Sequence, residues 1–435
     1  MEYLKKAAKS AEEDSSKARG IVQNILADID ARGEQAVRDI AKKFDKWEGD
    51  FLLSESKKQR LIASVPESVK QDIRFAYEQV RDFALLQRAS IRDFEALSPA
   101  GVLYGQKIVP MDVAGCYVPG GRFAHICSAL MSVGTAKAAG VPCVIAASPP
   151  RGDSIDPAVC YALDIAGADM VLEMGGVQAI AALGYGLFTH KPANIIVGPG
   201  NAYVSEAKAL LCGRGICGID LFAGPSEIGI IADAKADPMT VAIDLLSQAE
   251  HGFNSPAWLF TDSRELGMKV LECLPKLIAA MPDPSVPGTS WADYGEVVLC
   301  QSAEELITVS DTYAPEHLEL LVENPNWWRE RLHSYGSLFM SEFSTVTHGD
   351  KASGPNHILP TKKSAHYSGG LNVHKFLKIL TYQHATKEGC QRISEVSSRL
   401  SRAEGMEGHA RACDWRLTKH NPDQQWNFHV YKHPQ

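Results

Sequence analysis

The chain is 435 residues long, too long for one ordinary hydrophobic core, and its 45% apolar and 22% charged composition is that of a globular protein of two or three domains. The formal net charge of −8 comes without any basic block, which argues against nucleic acid or an anionic membrane as the main partner. The charged, amphipathic N-terminus has no signal-peptide core, no apolar run reaches the length of a membrane span, and the ten scattered Cys read as free thiols. A cytoplasmic protein is therefore expected.

Apolar spacing predicts helices over 20–44 and 68–90, joined by a polar connector at 46–55. From Val113 the pattern changes. Short β-rich runs at 113–118, 144–147, 170–173, 194–197 and 228–232 alternate with helical stretches at 128–139, 158–166, 177–185 and 202–211. Such alternation implies parallel βαβ units with helices on both faces. A second α/β stretch follows: helices over 237–250, 264–280 and 303–311, with strands at 257–260, 296–300 and 336–340. Residues 341–375 read as irregular but carry too many specific polar residues for a linker. The tail reads as helical from about Thr381 to Glu404 and polar beyond.

Three glycine turns follow predicted strands: Tyr117-Val-Pro-Gly-Gly-Arg122, Gly175-Gly-Val-Gln178 and Gly198-Pro-Gly-Asn201. Each reads either as a tight βα turn or as a phosphate-facing helix start, and open α/β sheets bind ligands along that edge. In the helix predicted over 237–250 and its end, Gln248 and His251 are three residues apart. They are either a polar helix face or a pair of neutral donors that could hold a divalent cation. Glu316-His317, after Ala314-Pro315, sets a carboxylate beside an imidazole. It reads as a proton-transfer pair or as a solvated turn. Asp350 and His357 fall in the irregular stretch, and Glu404 and His409 flank a Gly-containing break.

In this order and spacing the segments YVPGGR (117–122), GGVQAIAAL (175–183), VGPGNAYVSEAK (197–208), AGPSE (223–227), DLLSQAEHG (244–252), APEHLE (314–319), GDKASGPNHILPT (349–361) and EGMEGH (404–409) resemble the histidinol dehydrogenase family over nearly the whole chain. The resemblance implies two incomplete Rossmann-like parallel-sheet domains, an N-terminal helical segment and a helical C-terminal tail used in dimerisation. The expected partition is 1–112 with 226–375, then 113–225 for NAD, then 376–435 for the tail. It further implies one zinc per subunit held by Gln248, His251, Asp350 and His409, the last from the partner subunit of a homodimer. NAD would sit at Tyr117, Gln178 and Asn201. Ser226, His317, His357 and Glu404 would line the substrate pocket, and Glu316 with His317 would transfer protons. The implied reaction oxidises a primary alcohol through a bound aldehyde to a carboxylate, with two NAD+ consumed.

Some positions depart from the histidinol-oxidising pattern. Arg122, His125 and Lys351 stand where small, neutral or aromatic residues are usual. Three cationic side chains would favour an anionic substrate group, although each could instead face solvent, and Arg122 could contact the NAD pyrophosphate. With Asp45-Lys46-Trp47 and HKFLK at 374–378, these residues look like the subgroup that oxidises 2,3-dihydroxypropane-1-sulfonate to sulfolactate. L-histidinol is the alternative substrate. An epimerase using NAD transiently is a further alternative. A non-catalytic regulatory relative would have lost a ligand or the proton-transfer pair, and neither is missing.

Overall fold

The computed structural model describes residues 1–9, 16–120, 123–221, 224–426 and 428. In chain order its strands are β1 (Glu2–Lys5), β2 (Phe94–Leu97), β3 (Val102–Pro110), β4 (Val113–Tyr117), β5 (Cys143–Ser148), β6 (Met170–Glu173) and β7 (Ile195–Val197). They continue with β8 (Gly218–Ile219), β9 (Ile228–Ala232), β10 (Ala257–Thr261), β11 (Gly295–Leu299), β12 (His317–Leu321), β13 (Ser337–Met340) and β14 (Leu377–Ala385). The chain forms two compact units. One comprises Met1–Arg88 with Pro110–Phe376, the other Ala89–Val109 with Leu377–Gln435.

The first unit holds two sheets. One is parallel throughout, in the order β6-β5-β4-β7-β8. The other runs β1-β11-β10-β9-β12-β13, parallel except for the antiparallel edge strand β1. Leaving β1 aside, both sheets use their strands in the same order: third, second, first, fourth, fifth. This is the half-Rossmann arrangement, in which the strand order reverses between the first and fourth strands. The central strands β9 (IGIIA) and β4 (VAGCY) are almost wholly buried apolar runs, as a sheet covered on both faces requires.

Local chemistry sets the element ends. Asp156, Asp237 and Ser302 cap helix N-termini with their side chains, while Gly140, Gly167 and Gly186 end helices in the left-handed conformation. The expected helix over 20–44 is two helices, Ser16–Arg32 and Glu34–Phe44, broken at Gly33 with φ +59°. Their apolar faces (Val22, Leu26, Val37, Ile40) join the core beneath the five-stranded sheet with Ile145, Ile180 and Leu211. β1, from the same N-terminal region, pairs instead with β11.

In the second unit, β14-β3-β2 form a three-stranded sheet, followed by helices Lys387–Ala403 and Glu407–His420. The tail is therefore not helical from its start, because residues 377–385 are a strand. The helix Ser285–Tyr294, the strand β12 and the short helix Val346–Lys351 are further elements that apolar spacing alone did not reveal. No described helix is long and apolar enough to cross a membrane, and all ten cysteines are free.

Candidate active site

A cavity of about 740 Å³ lies where the carboxyl ends of β4 and β7 meet the amino ends of β9 and β12. Residues 124–128 after β4 and Pro199-Gly200 after β7 form one wall. Ser226, His251, Glu316, His317, Asp350, Lys351 and His357 form the other. For the five-stranded sheet this is the topological switch point, where such sheets bind ligands. The six-stranded sheet departs from that rule, since it presents the amino ends of its strands.

The turn after β7 is held from within. Gly198 has φ +121°, and a Cβ there would fall 2.0 Å from the Tyr117 carbonyl oxygen, so only glycine fits. Lys208 and Asp220 are buried and ion-paired. Lys208 Nζ donates to the Gly198 carbonyl at 2.9 Å, and Asp220 Oδ2 accepts the Gly198 N–H at 2.8 Å. One ion pair thus satisfies both backbone groups of this glycine.

Glu316 and His317 are buried rather than in a solvated turn. Ala314 takes a left-handed conformation (φ +48°) that ends the preceding helix, and His317 is the first residue of β12. Glu316 Oε2 accepts the Ser226 hydroxyl at 2.6 Å and the Glu227 N–H at 3.0 Å. Burial raises its pKa against the opposing influence of His317. His317 Nδ1 lies 3.1 Å from the Glu227 carbonyl, which can only accept, so Nδ1 carries a proton. Nε2 is then the basic nitrogen, buried and without a hydrogen-bond partner, 3.7 Å from Asp350 Oδ1. Burial opposes charge on the ring, but Glu316 and then Asp350 outweigh it and push the pKa up to about 9.

Asp350 sits at the end of the helix Val346–Lys351, with its other oxygen 3.7 Å from His251 Nε2. Burial works against its charge, yet His317 and the neighbouring His357 and His251 hold it well below the usual carboxylate range. His357 Nδ1 donates to the Asp350 carbonyl at 2.9 Å; burial lowers the pKa of the ring, and in its neutral form Nε2 accepts the Ser128 hydroxyl at 2.9 Å.

Among the described residues no cluster of three or more His, Cys, Asp or Glu is assembled to hold a metal. The chain does contain a partial donor set. The helix Pro238–Ala249 ends before His251, whose N–H closes onto the Gln248 carbonyl at 3.2 Å, so Gln248 alone of the expected pair is helical. Gln248 is fully buried and neither of its amide atoms has a partner. A buried amide left unsatisfied is costly, and a ligand would remove that cost. A neutral amide oxygen, an imidazole and one carboxylate suit zinc, so these residues fit the ion the resemblance implies. Glu404 is the C-cap of the helix Lys387–Ala403 and His409 lies in the helix Glu407–His420. Both are exposed residues of the second unit.

Of the three residues that depart from the histidinol-oxidising pattern, His125 and Lys351 line the cavity. Burial, with the positive influence of His357 and Lys351, pushes the His125 pKa down to about 4. Arg122 lies outside the described residues. The residues implied for NAD occupy the expected edge. Tyr117 ends β4 and its hydroxyl accepts the Gly176 N–H at 3.2 Å. Gln178 donates to Asp45 at 2.8 Å, and the Asn201 side chain caps its helix by accepting from Tyr203 and Val204 at 3.1 Å. Asn201 therefore has a structural role of its own. Ser128, Glu227, Lys208 and Asp220 were not singled out from sequence, although three of them lie within or beside the quoted motifs.

A Rossmann-type edge with glycine turns, opposed by a buried carboxylate–imidazole pair, defines an NAD-dependent dehydrogenase of the α/β class. The chain belongs to the histidinol dehydrogenase family, whose model matches residues 8–417. It is 51% identical to the sulfopropanediol 3-dehydrogenase of Ruegeria pomeroyi, over 98% of this chain and 99% of that one. It is 53% identical to a histidinol dehydrogenase homolog of Pelagibacter ubique, over 96% and 98%. The crystal structure of histidinol dehydrogenase from Elizabethkingia anophelis superposes with a TM-score of 0.89 at 33% identity, covering 96% of this chain and 95% of that one. NAD-dependent oxidation of an alcohol to an acid is the family's reaction, and NAD and zinc are typical of its members.

Proposed function

We propose that the substrate is the small anionic diol 2,3-dihydroxypropane-1-sulfonate, in its R form, and the product sulfolactate. The observation that carries this reading is the cationic Lys351, with the neutral imidazole of His125 as a further N–H donor, in the wall of the cavity that also holds Glu316 and His317. A sulfonate needs such donors, whereas histidinol is itself cationic. The 51% identity to the Ruegeria sulfopropanediol enzyme supports it.

Gln248, His251 and Asp350 would hold the zinc, joined by His409 from the partner subunit of a homodimer, as the family resemblance implies. When bound, the ion would supply a fixed positive charge that orients the polar groups of the alcohol. In its neutral, Nδ1-protonated form, His317 takes the hydroxyl proton on Nε2 as hydride leaves the carbinol carbon for NAD+, with Nδ1 anchored on the Glu227 carbonyl. Glu316 is held through Oε2 by Ser226 and Glu227, and takes a proton from water with its other oxygen to give the aldehyde hydrate. A second hydride transfer yields the carboxylate. The balance is one alcohol, one water and two NAD+ giving one carboxylate, two NADH and three protons. By the family resemblance Ser226, His357 and Glu404 are assigned to the substrate, Arg122 is assigned to it by its charge, and NAD is assigned to Tyr117, Gln178 and Asn201.

L-Histidinol oxidation is the second reading, favoured by Glu404, which the family uses toward a cationic substrate. Incubating the enzyme with NAD+ and each alcohol decides. Two NADH per sulfonate diol consumed is the expected result. Rapid NADH formation from histidinol with none from the diol would reverse the choice, and turnover without net NADH would point to an epimerase.

A further inference from the structure

Behind the cavity wall lies a second acidic pair, largely shut off from solvent. Asp244, in the helix Pro238–Ala249, is 8% exposed, and Glu319, the third residue of β12, is 0% exposed. Glu319 Oε1 accepts the Val346 N–H at 2.8 Å, and Asp244 Oδ1 accepts the Thr345 hydroxyl at 2.9 Å. The two carboxyl groups also face each other within hydrogen-bonding reach, while Glu319 Oε2 is buried with no protein donor. Two ionised carboxylates have no donor between them, so a proton on one of them is what satisfies this contact.

We propose that Asp244 and Glu319 share a proton and act as a positioning pair that seats Asp350 against His317 and Gln248. The pair ties together the three elements that carry those residues. Gln248 lies one helical turn beyond Asp244, His317 lies two residues before Glu319 on β12, and Asp350 lies one turn beyond Val346. The helix Val346–Lys351 is only six residues long, too short to persist by itself. Glu319 takes its first N–H, a donor that the helix cannot satisfy internally. Gly349, on the same turn, packs against Phe339 so closely that a Cβ would fall 2.6 Å from the ring. Apolar residues of the same volume would fill the site at lower cost, which is consistent with a role in registry. His348 and His317 are the titratable neighbours of the pair, the first beside Asp244 and the second beside Glu319. Burial pushes both carboxyl groups above the ordinary range, assisted at Glu319 by the Asp244 charge. A raised folded-state pKa gives stability that is complete below the ordinary carboxylate pKa and declines as pH rises from there, until the shared proton has left the folded pair.

This inference rests on Asp350 and His317 acting at the site, and does not depend on which alcohol is oxidised. The test compares wild-type holoenzyme with Glu319→Gln and Glu319→Ala. Glutamine keeps an acceptor for Val346 and provides a permanent donor to Asp244, whereas alanine removes both. Melting midpoints are measured from about pH 5 to about pH 9, with bound zinc, kcat and KM at neutral pH. Glu319→Gln should keep its zinc and its KM for NAD+ and lose part of the wild-type decline in melting midpoint between about pH 5 and about pH 8. Glu319→Ala should lose at least about tenfold in kcat and part of its zinc, with KM for NAD+ little changed. A Glu319→Gln midpoint that falls as steeply with pH as that of the wild type overturns the shared proton, and an alanine variant with full kcat and zinc overturns the positioning role. If the alanine variant does not fold, the glutamine comparison decides alone. Failure of the zinc assignment would show separately, as a wild-type enzyme without zinc, while the pH slope of melting still reads the pair.

Discussion

His317 Nε2 stands 3.7 Å from Asp350 Oδ1, just beyond hydrogen-bonding range, and each group favours the charged form of the other. The second oxygen of Asp350 faces His251 Nε2 at the same distance. One carboxylate thus stands between an imidazole assigned to proton transfer and one assigned to metal binding.

The two imidazoles should separate on substitution. His251→Ala is expected to lose bound zinc by elemental analysis, because the resemblance makes it a ligand. His317→Asn should keep its zinc within about tenfold in affinity, since its part is proton transfer. Equal zinc content in wild type and His251→Ala would refute the ligand assignment.

Glu316→Gln preserves the shape of the side chain and an oxygen for the Ser226 hydroxyl, yet removes the base. Loss of kcat by about 10² to 10⁴ is expected, with a much smaller change in the KM of the alcohol. Steady-state kinetics at saturating NAD+ measure it. A kcat within a factor of about three of wild type would assign the water-activating step elsewhere.

Lys208→Met leaves Asp220 buried and uncompensated beneath the Gly198 turn. It should cost about 3 to 5 kcal/mol of unfolding free energy in a denaturant titration. Replacing both partners, as Lys208→Met with Asp220→Asn, should cost less than the single change, because no charge is then stranded. Additive losses would show that the pair is not a coupled unit.

Glu227 supplies a pH dependence of its own. Burial, then the charge of Glu316, pushes its carboxyl up to about 8 from the ordinary value of 4.5. The folded protein therefore holds a proton that the unfolded chain has released. Stability from this group is complete below about pH 4.5 and declines by up to about 1.4 kcal/mol per pH unit until about pH 8. Glu227→Gln should flatten that part of the stability–pH curve measured by denaturant unfolding. An unchanged slope would mean that Glu227 is already ionised in the folded enzyme.

The parallel strands of the first unit were legible because doubly covered strands are short apolar runs bounded by Gly and Pro, as in VAGCY and IGIIA. β12 was not legible. Its residues, HLELL, follow a Pro and carry a glutamate at the centre, and a buried central glutamate is the reverse of what hydropathy leads one to expect. Glu319 is tolerated there only because Val346, from the helix that follows β13, and Asp244, 75 positions earlier in the chain, come to meet it. The six-residue helix at 346–351 was hidden for the same reason, since its start is held by those distant carboxyl groups. β14 shows one buried residue in nine, which leaves almost no alternation to detect.

By itself, the sequence determined the α/β class and the glycine turns at the strand ends, because those depend on local periodicity and on residue chemistry at short spacing; the roles proposed for Glu316, His317, Gln248, His251, Asp350 and His409 came from the family resemblance. The tertiary structure alone decided that Glu316 and His317 are buried, which nitrogen of His317 is basic, and that Asp350 stands between two imidazoles. Those properties arise from groups far apart in the chain sharing one low-dielectric space, and neither residue type nor local spacing encodes that meeting.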